Sequence, residues 1–246
     1  MTEKRVIGVK PWWLRGTVEP SECLCAFQPI GALNISQSLF NINSRGTNDA
    51  AIGTTPTFAS ATGWTFDGAT TYLTVGSGAI ASAVPLSMIA LFNSDDITTA
   101  YALMSIDREA SAHNSFKILA AGATSNDPVT AVSTQAATAR TATTGTGYVA
   151  STWYVGAGVF STASLRTAFI YSKNSRATAY THFGNKGSDT NSNTPASVDL
   201  THIGATHDSS SLANFFLGKI GACAFYKVAL TEKQVLEIAL GMLELV

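Results

Sequence analysis

The sequence predicts an all-β protein: two antiparallel sheets packed face to face as a sandwich, with one short C-terminal helix and an N-terminal arm. Three observations carry that expectation. About a dozen short segments alternate apolar and polar residues or run apolar throughout, separated by Gly, Asn, Asp, Ser and Pro, which is the pattern of a sandwich or barrel. Only 13% of the 246 residues are charged, against about 25% in a typical soluble domain. Thr, Ser, Ala, Asn and Gly stand in their place, and these suit strands and turns better than long solvent-facing helices. A helical apolar period stands out at one place, the C-terminus.

Residues 1–20 read as the arm, with Pro11, Pro20, the adjacent pair Trp12 and Trp13, and no sustained period. From 22 to 60 runs a loop-rich lead-in with two strand candidates, CLCAF and SLFNI, broken by QPIGA and by SRGTNDAAIGTTP. In GWTFDGATTYLTVGSG (63–78) Trp64 and Phe66 share one face of a strand. Asp67-Gly68 opens a polar turn, and Leu73 and Val75 restore the apolar face with a period of two. After Pro85, LSMIALFN is apolar on both faces, as a central strand covered on each side should be. YALMSID (101–107), SFKILAAG (115–122), VTAVST (129–134), TGYVAS (146–151), TWYVGAGVF (152–160) and SLRTAFIYS (164–172) continue the series. VDLTHIGA (198–205) and NFFLGKIGACAFYKVAL (214–230) complete it.

The closing run LTEKQVLEIALGMLELV predicts the helix. Thr231 is a natural N-cap, Gln234 completes a capping box, and Leu230 meets Val235 as a hydrophobic staple. Val235, Ile238 and Met242 form its apolar stripe, and Gly241 is placed to stop it.

A formal net charge of −1 with scattered basic residues gives no electrostatic footprint for nucleic acid. The start MTEKRVIGVKPWWLRG lacks the apolar region of a secretory signal, and no stretch reaches the roughly 18 apolar residues of a membrane-spanning helix. The expectation is synthesis in a host cytoplasm, where the protein stays or from which it leaves without a signal, as by assembly into a virus particle. Cys23, Cys25 and Cys223 are odd in number, which argues against a disulfide framework. They read as small buried hydrophobes rather than metal ligands.

Four segments carry a family resemblance. GWTFDGATTYLTVG is similar to an early hairpin, STWYVGAGVFSTASLRTAFIYSKNSRA to a central hairpin, and THIGATHDSSSLANFFLGKIGACAFYKVALTEKQV to a closing passage. CLCAFQPIGALNISQSLFNINSRGTNDA resembles a lead-in common in phage proteins. Together they make residues 21–246 resemble a concanavalin A-like jelly roll of the laminin-G-like type, as found in bacteriophage virion proteins. The chain departs from the family at Ser172-Lys173-Asn174-Ser175, where the family carries Asp-Gly or Asn-Gly. The resemblance implies a non-enzymatic virion subunit, a capsid decoration, head fibre or tail-associated adhesin. Its partners would be other virion proteins, further copies of itself and a host-surface glycan. The alternative is a stand-alone carbohydrate-binding lectin module, and the third reading is a glycoside hydrolase.

Hydrolysis of a glycoside requires two carboxylates about 5–9 Å apart. Asp107 and Glu109, in SIDREA, are the best candidates. Concanavalin-like glucanases carry a further carboxylate two positions before the aspartate, where this chain has Ser105, so a polar strand end is the better reading. No G-x-S-x-G elbow occurs. His113, His182, His202 and His207 read as separate loop or strand-end residues. Laminin-G-like domains sometimes hold Ca²⁺ at the rim, and Asp189 (in GNKGSDTNSN) and Asp208 (in GATHDSSSLAN) are the candidate rim residues for a ligand or that cation. The same residue types are ordinary turn formers, and Asp67 is read as one. The Trp12-Trp13 pair either folds back on its own sandwich or anchors a neighbouring subunit. The second is preferred here, because Pro11 and its short polar neighbours make a poor local core.

Overall fold

In a computed structural model, residues 10–109, 113–122, 124–172, 185–208 and 211–246 are described. The strands, in chain order, are β1 (Cys23–Phe27), β2 (Ala50–Thr54), β3 (Thr57–Ala59), β4 (Gly63–Asp67), β5 (Tyr72–Val75), β6 (Leu86–Ser94), β7 (Ala100–Asp107), β8 (Ser115–Ala121) and β9 (Pro128–Gln135). They continue with β10 (Thr138–Gly147), β11 (Trp153–Thr162), β12 (Leu165–Ser172), β13 (Asn185–Asp189), β14 (Leu200–Ile203), β15 (Thr206–Asp208), β16 (Ser211–Ala213) and β17 (Leu217–Tyr226). A short helical turn α1 (Ile35–Ser38) interrupts the lead-in, and helix α2 (Glu232–Leu243) follows the last strand.

Among the described residues, one sheet has the order β13-β12-β11-β6-β17-β4-β3, with β1 pairing the second half of β17. The facing sheet has the order β10-β9-β8-β7-β14-β5-β2. All the pairings in both are antiparallel. The main core lies between them, built from Trp64, Phe66, Leu73, Phe92, Phe116 and Phe160 among others. β6 is buried along its whole length, because its inner side chains meet the facing sheet and Ile89 and Leu91 meet the helix side. That is the covered central strand the apolar run predicts.

The Trp64 to Val75 stretch is not a hairpin. β4 pairs with β3 and β17 in one sheet, while β5 pairs with β2 and β14 in the other. The Asp67-Gly68 turn therefore carries the chain across the sandwich. Asp67 holds the crossing by accepting from the backbone N–H groups of Ala69, Thr70 and Thr71 and from both threonine hydroxyls, at 2.7–2.9 Å. Slight burial pushes its carboxyl up, but these donors outweigh burial and hold it well below the ordinary aspartate value. The SLFNI strand is also corrected. Asn41 there is buried, and its side chain accepts from the N–H of Ala26 at 3.1 Å and donates to Leu24 and Thr47 carbonyls. One amide thus serves the edge of β1 where a strand was expected.

Helix α2 has the expected capping box, with the Gln234 N–H on Thr231 Oγ1 at 3.3 Å and the Thr231 N–H on Gln234 Oε1 at 2.8 Å. Leu230, Val235, Ile238 and Met242 all join the second core, which covers the outer side of the first sheet. Gly241 does not end the helix. It lies inside it, where an added Cβ would stand 2.7 Å from Trp12 Cβ and 3.0 Å from Arg15 Cδ. Gly241→Ala is therefore expected to lower stability by about 1–2 kcal/mol in urea unfolding, overpacking winning over the gain in helix propensity.

The same contact corrects the reading of the arm. Trp12 is 5% exposed, packed in the helix-side core, with its indole N–H on Gln28 Oε1 at 2.8 Å. The carbonyl of Trp13 accepts from the Tyr226 hydroxyl at 3.0 Å, and Arg15 pairs with Glu244 at 2.6 Å. Residues 12–18 are thus part of the body. Helix α2 and the outer face of the sheet supply the local core that Pro11 and its neighbours lack. Trp12 is spent inside its own chain, and Trp13 stays half-buried at the surface.

Candidate functional site

The outer face of the second sheet is where the chain gathers polar and aromatic groups. Strand alternation decides which residues point there. Leu73 and Val75 enter the core, so Tyr72 and Thr74 face out; Met104 and Ile106 enter, so Ser105 and Asp107 face out. The register then aligns Thr74, His202, Ser105, Lys117 and Val132 in one row across five strands, each directly opposite the next.

Asp107 anchors this row. It is 0% exposed and accepts from four groups. Thr206 Oγ1 lies at 2.9 Å, the His207 backbone N–H at 3.0 Å and His202 Nδ1 at 3.2 Å, and the Ser105 hydroxyl is the fourth donor. Facing a carboxylate, His202 Nδ1 is the donor of this pair, and the residue is 3% exposed. The hairpin β15–β16 brings Thr206 and His207 over the sheet and roofs part of it. Asp107 thus takes the His202 ring and only the backbone N–H of His207, whose own ring Nδ1 is buried without a partner among the described residues. His113 lies apart, just ahead of β8, and His182 lies outside the described residues.

An aromatic floor adjoins the row. The Tyr72 ring meets His202 edge-on at 5.7 Å and Phe215 at 6.3 Å, and Tyr72 and Phe215 both remain half-exposed. Gly53 on the neighbouring strand makes room for Tyr72, since a Cβ there would run into the ring. Beside Thr74 a groove of about 250 Å³ is lined by Thr74, Gly76, Ser77, Gly78, Leu200 and Thr201. Aromatic faces next to hydroxyls, an imidazole, an ammonium and glycine backbone are suited to a neutral polyhydroxylated ligand.

The arrangement is poorly suited to acid–base chemistry. Asp107 has its oxygens committed to protein donors, and Ser105 donates to Asp107 rather than to His202, so it is not set up as a nucleophile. Glu109 lies beyond the strand end, exposed, with its N–H on Asp199 Oδ1 at 2.7 Å.

The rim candidates lie elsewhere. Asp189 ends β13, which the sequence reads as polar loop. It is ion-paired with the buried Arg166 and accepts from Asn191 Nδ2 at 2.6 Å. Partial burial raises its carboxyl, and Asn191 and Arg166 together bring it below the usual range. A hard cation there would compete with a guanidinium, which corrects Asp189 as a free rim ligand. Asp208 ends β15, and its side chain lies outside the described groups, as does the 173–175 turn. Trp13 borders a different surface, two adjoining grooves of about 380 and 280 Å³ lined in part by Gln37 and Ile42, with Gln28 beside Trp13 and Arg45 stacked 3.8 Å over Phe40.

No family profile matches the chain, and no curated protein matches it. Solved structures do. Domain 4 of AbnA, a GH43 extracellular arabinanase from Geobacillus stearothermophilus, in complex with arabinotriose, is similar over 90% of this chain and 100% of its own, with a TM-score of 0.64 and 13% identity. The CBM40 of the Ruminococcus gnavus IT-sialidase is similar over 64% of this chain and 83% of its own, at 0.50 and 11%. The same module bound to α2,3 sialyllactose gives 64%, 82%, 0.51 and 11%. At such identity the likeness speaks for architecture. The chain is a jelly-roll β-sandwich. The resemblance to a jelly roll is supported, and its link to virus particles is not.

Proposed function

We propose that this protein is a carbohydrate-binding module that holds a glycan on the outer face of the sheet containing β5, β7 and β14, and does not cleave it. The observation that carries this reading is the half-exposed Tyr72–Phe215 floor beside the row Thr74, His202 and Lys117, with His202 fixed by buried Asp107. The similar arabinanase domain was solved with arabinotriose, which supports a saccharide as the ligand class. Commitment of Asp107 to protein donors supports binding without turnover. The virion setting expected from the sequence is a finer reading, and the comparisons favour the stand-alone module over it. Co-sedimentation with phage particles is the observation that would restore it.

The test is a screen on immobilised glycans followed by calorimetry on the strongest ligand, with arabinotriose included. Tyr72→Ala is expected to weaken binding about tenfold or more while the unfolding midpoint changes little. Trp13→Ala is expected to leave affinity unchanged. The reverse pattern would move the site to the grooves beside Trp13.

A further inference from the structure

The edge at which the two sheets converge holds a cluster that the glycan face does not use. Phe160, Arg166 and Asp189 are direct neighbours on β11, β12 and β13. In the facing sheet Phe116, Ser133 and Arg140 are direct neighbours on β8, β9 and β10. The Phe116 and Phe160 rings meet across the sandwich at 5.3 Å, so one row lies over the other and Arg166 looks toward Ser133 and Arg140. Asn193 closes the end, its N–H on the Ala163 carbonyl at 2.8 Å and its Nδ2 on the Thr138 carbonyl at 2.6 Å.

Arg166 and Ser133 are each 1% exposed. Arg166 donates from Nη1 to Asp189 and from Nη2 to the Ala163 and Asn191 carbonyls at 3.0 and 2.9 Å. Its Nε is buried with no partner among the described residues, and so are Arg140 Nε and Ser133 Oγ. Three buried groups able to donate thus lack a partner in one cluster, which native interiors avoid. Charge is unbalanced as well: Asp189 pairs with Arg166, and Arg140 has no carboxylate partner among the described residues. Burial depresses the basicity of Arg166, Asp189 opposes this, and Arg140 adds to it. A water would meet the donors and leave the charge. A monovalent anion meets both.

We propose that this edge binds one small monovalent anion, chloride under ordinary conditions, between Arg140 Nε, Arg166 Nε and the Ser133 hydroxyl. Asn193 Oδ1, itself unpartnered, is an acceptor and takes no part. The anion joins the two sheets where β10 and β13 close the sandwich.

The experiment uses the full chain, with melting followed as chloride replaces gluconate at constant ionic strength. Gluconate, a bulky organic anion, serves as the control. A saturable rise of roughly 5–10 °C is expected by a concentration a hundredfold above Kd. Arg140→Gln, at a half-buried position, is expected to fold and to lose the chloride dependence. Crystals grown in bromide should show an anomalous peak within contact distance of both Nε atoms. Equal melting in the two salts overturns the proposal, even with a bromide peak, which would then mark an adventitious ion only. A chloride dependence that persists in Arg140→Gln overturns it too.

Discussion

Asp107→Ala is expected to lower the stability of the protein by about 3–5 kcal/mol, because it leaves several buried donors without an acceptor at once. The Ser105 hydroxyl, Thr206 Oγ1, the His207 N–H and His202 Nδ1 all converge on this carboxylate. No water reaches a site that is 0% exposed without rearrangement of the β15–β16 hairpin. Asp107→Asn keeps the shape but turns one acceptor into a donor, so its cost is expected to be smaller, about 1–3 kcal/mol. Urea titration reads both as shifts in midpoint at constant slope. The Asn variant also separates stability from binding: it stays folded, yet His202 loses its carboxylate acceptor, so glycan affinity falls with it. Full affinity in a folded Asp107→Asn protein would remove His202 from the site.

Trp64→Ala is expected to cost about 3–5 kcal/mol, the range for a large aromatic deleted from a packed core. Trp64 is buried between the sheets against Phe27, their rings 6.1 Å apart. Its indole N–H donates to Ser38 Oγ at 2.7 Å, and that hydroxyl donates in turn to the Ile35 carbonyl at 2.6 Å. The side chain therefore fastens α1 and the lead-in to β4 as well as filling the core. Trp64→Phe keeps most of the apolar area and loses the hydrogen bond, with an expected cost of about 1–2 kcal/mol. Limited proteolysis should show cleavage appearing first between residues 28 and 48 in the Ala variant. An equal cost for Phe and Ala would mean that the hydrogen bond, not the packed volume, holds this region.

Much of the fold is legible in the sequence wherever one segment contains its own evidence. The run LSMIALFN states that both of its faces are covered, and Thr231 and Gln234 state where the helix begins. What is not legible depends on distant partners. The turn at Asp67 looks the same whether its strands pair with each other or separate into two sheets. The outcome is set by Phe58 and Ile220 facing Trp64 and by Ala51 facing Thr74. β10 is hidden because TARTATTGTG has no apolar period; it is an edge strand whose side chains are mostly exposed, and the strand expected at TGYVAS (146–151) overlaps only its last two residues. The polar NKGSD hides β13 for the same reason. The place of Trp12 is not legible locally because its core comes from Gly241 and Tyr226, over 200 residues away.

The site follows the same rule. Asp107 stands out in SIDREA, but its partners Thr206 and His207 are 99 and 100 positions distant. No local spacing encodes that convergence. One signal was available in part: alternation places Tyr72 and Thr74, Ser105 and Asp107, and Leu200 and His202 on the outward faces of their strands. Reading those faces together points to the second sheet without giving its strand order.

The most direct test of a glycan site on that sheet is an NMR titration of isotope-labelled protein with the strongest oligosaccharide from the array. The expected result is saturable shifts confined to Tyr72, Thr74, Lys117, His202 and Phe215, with the sugar resonances unchanged in chemical identity over days. Shifts centred on Trp13 and Gln37 instead, or the appearance of cleaved sugar, would contradict it.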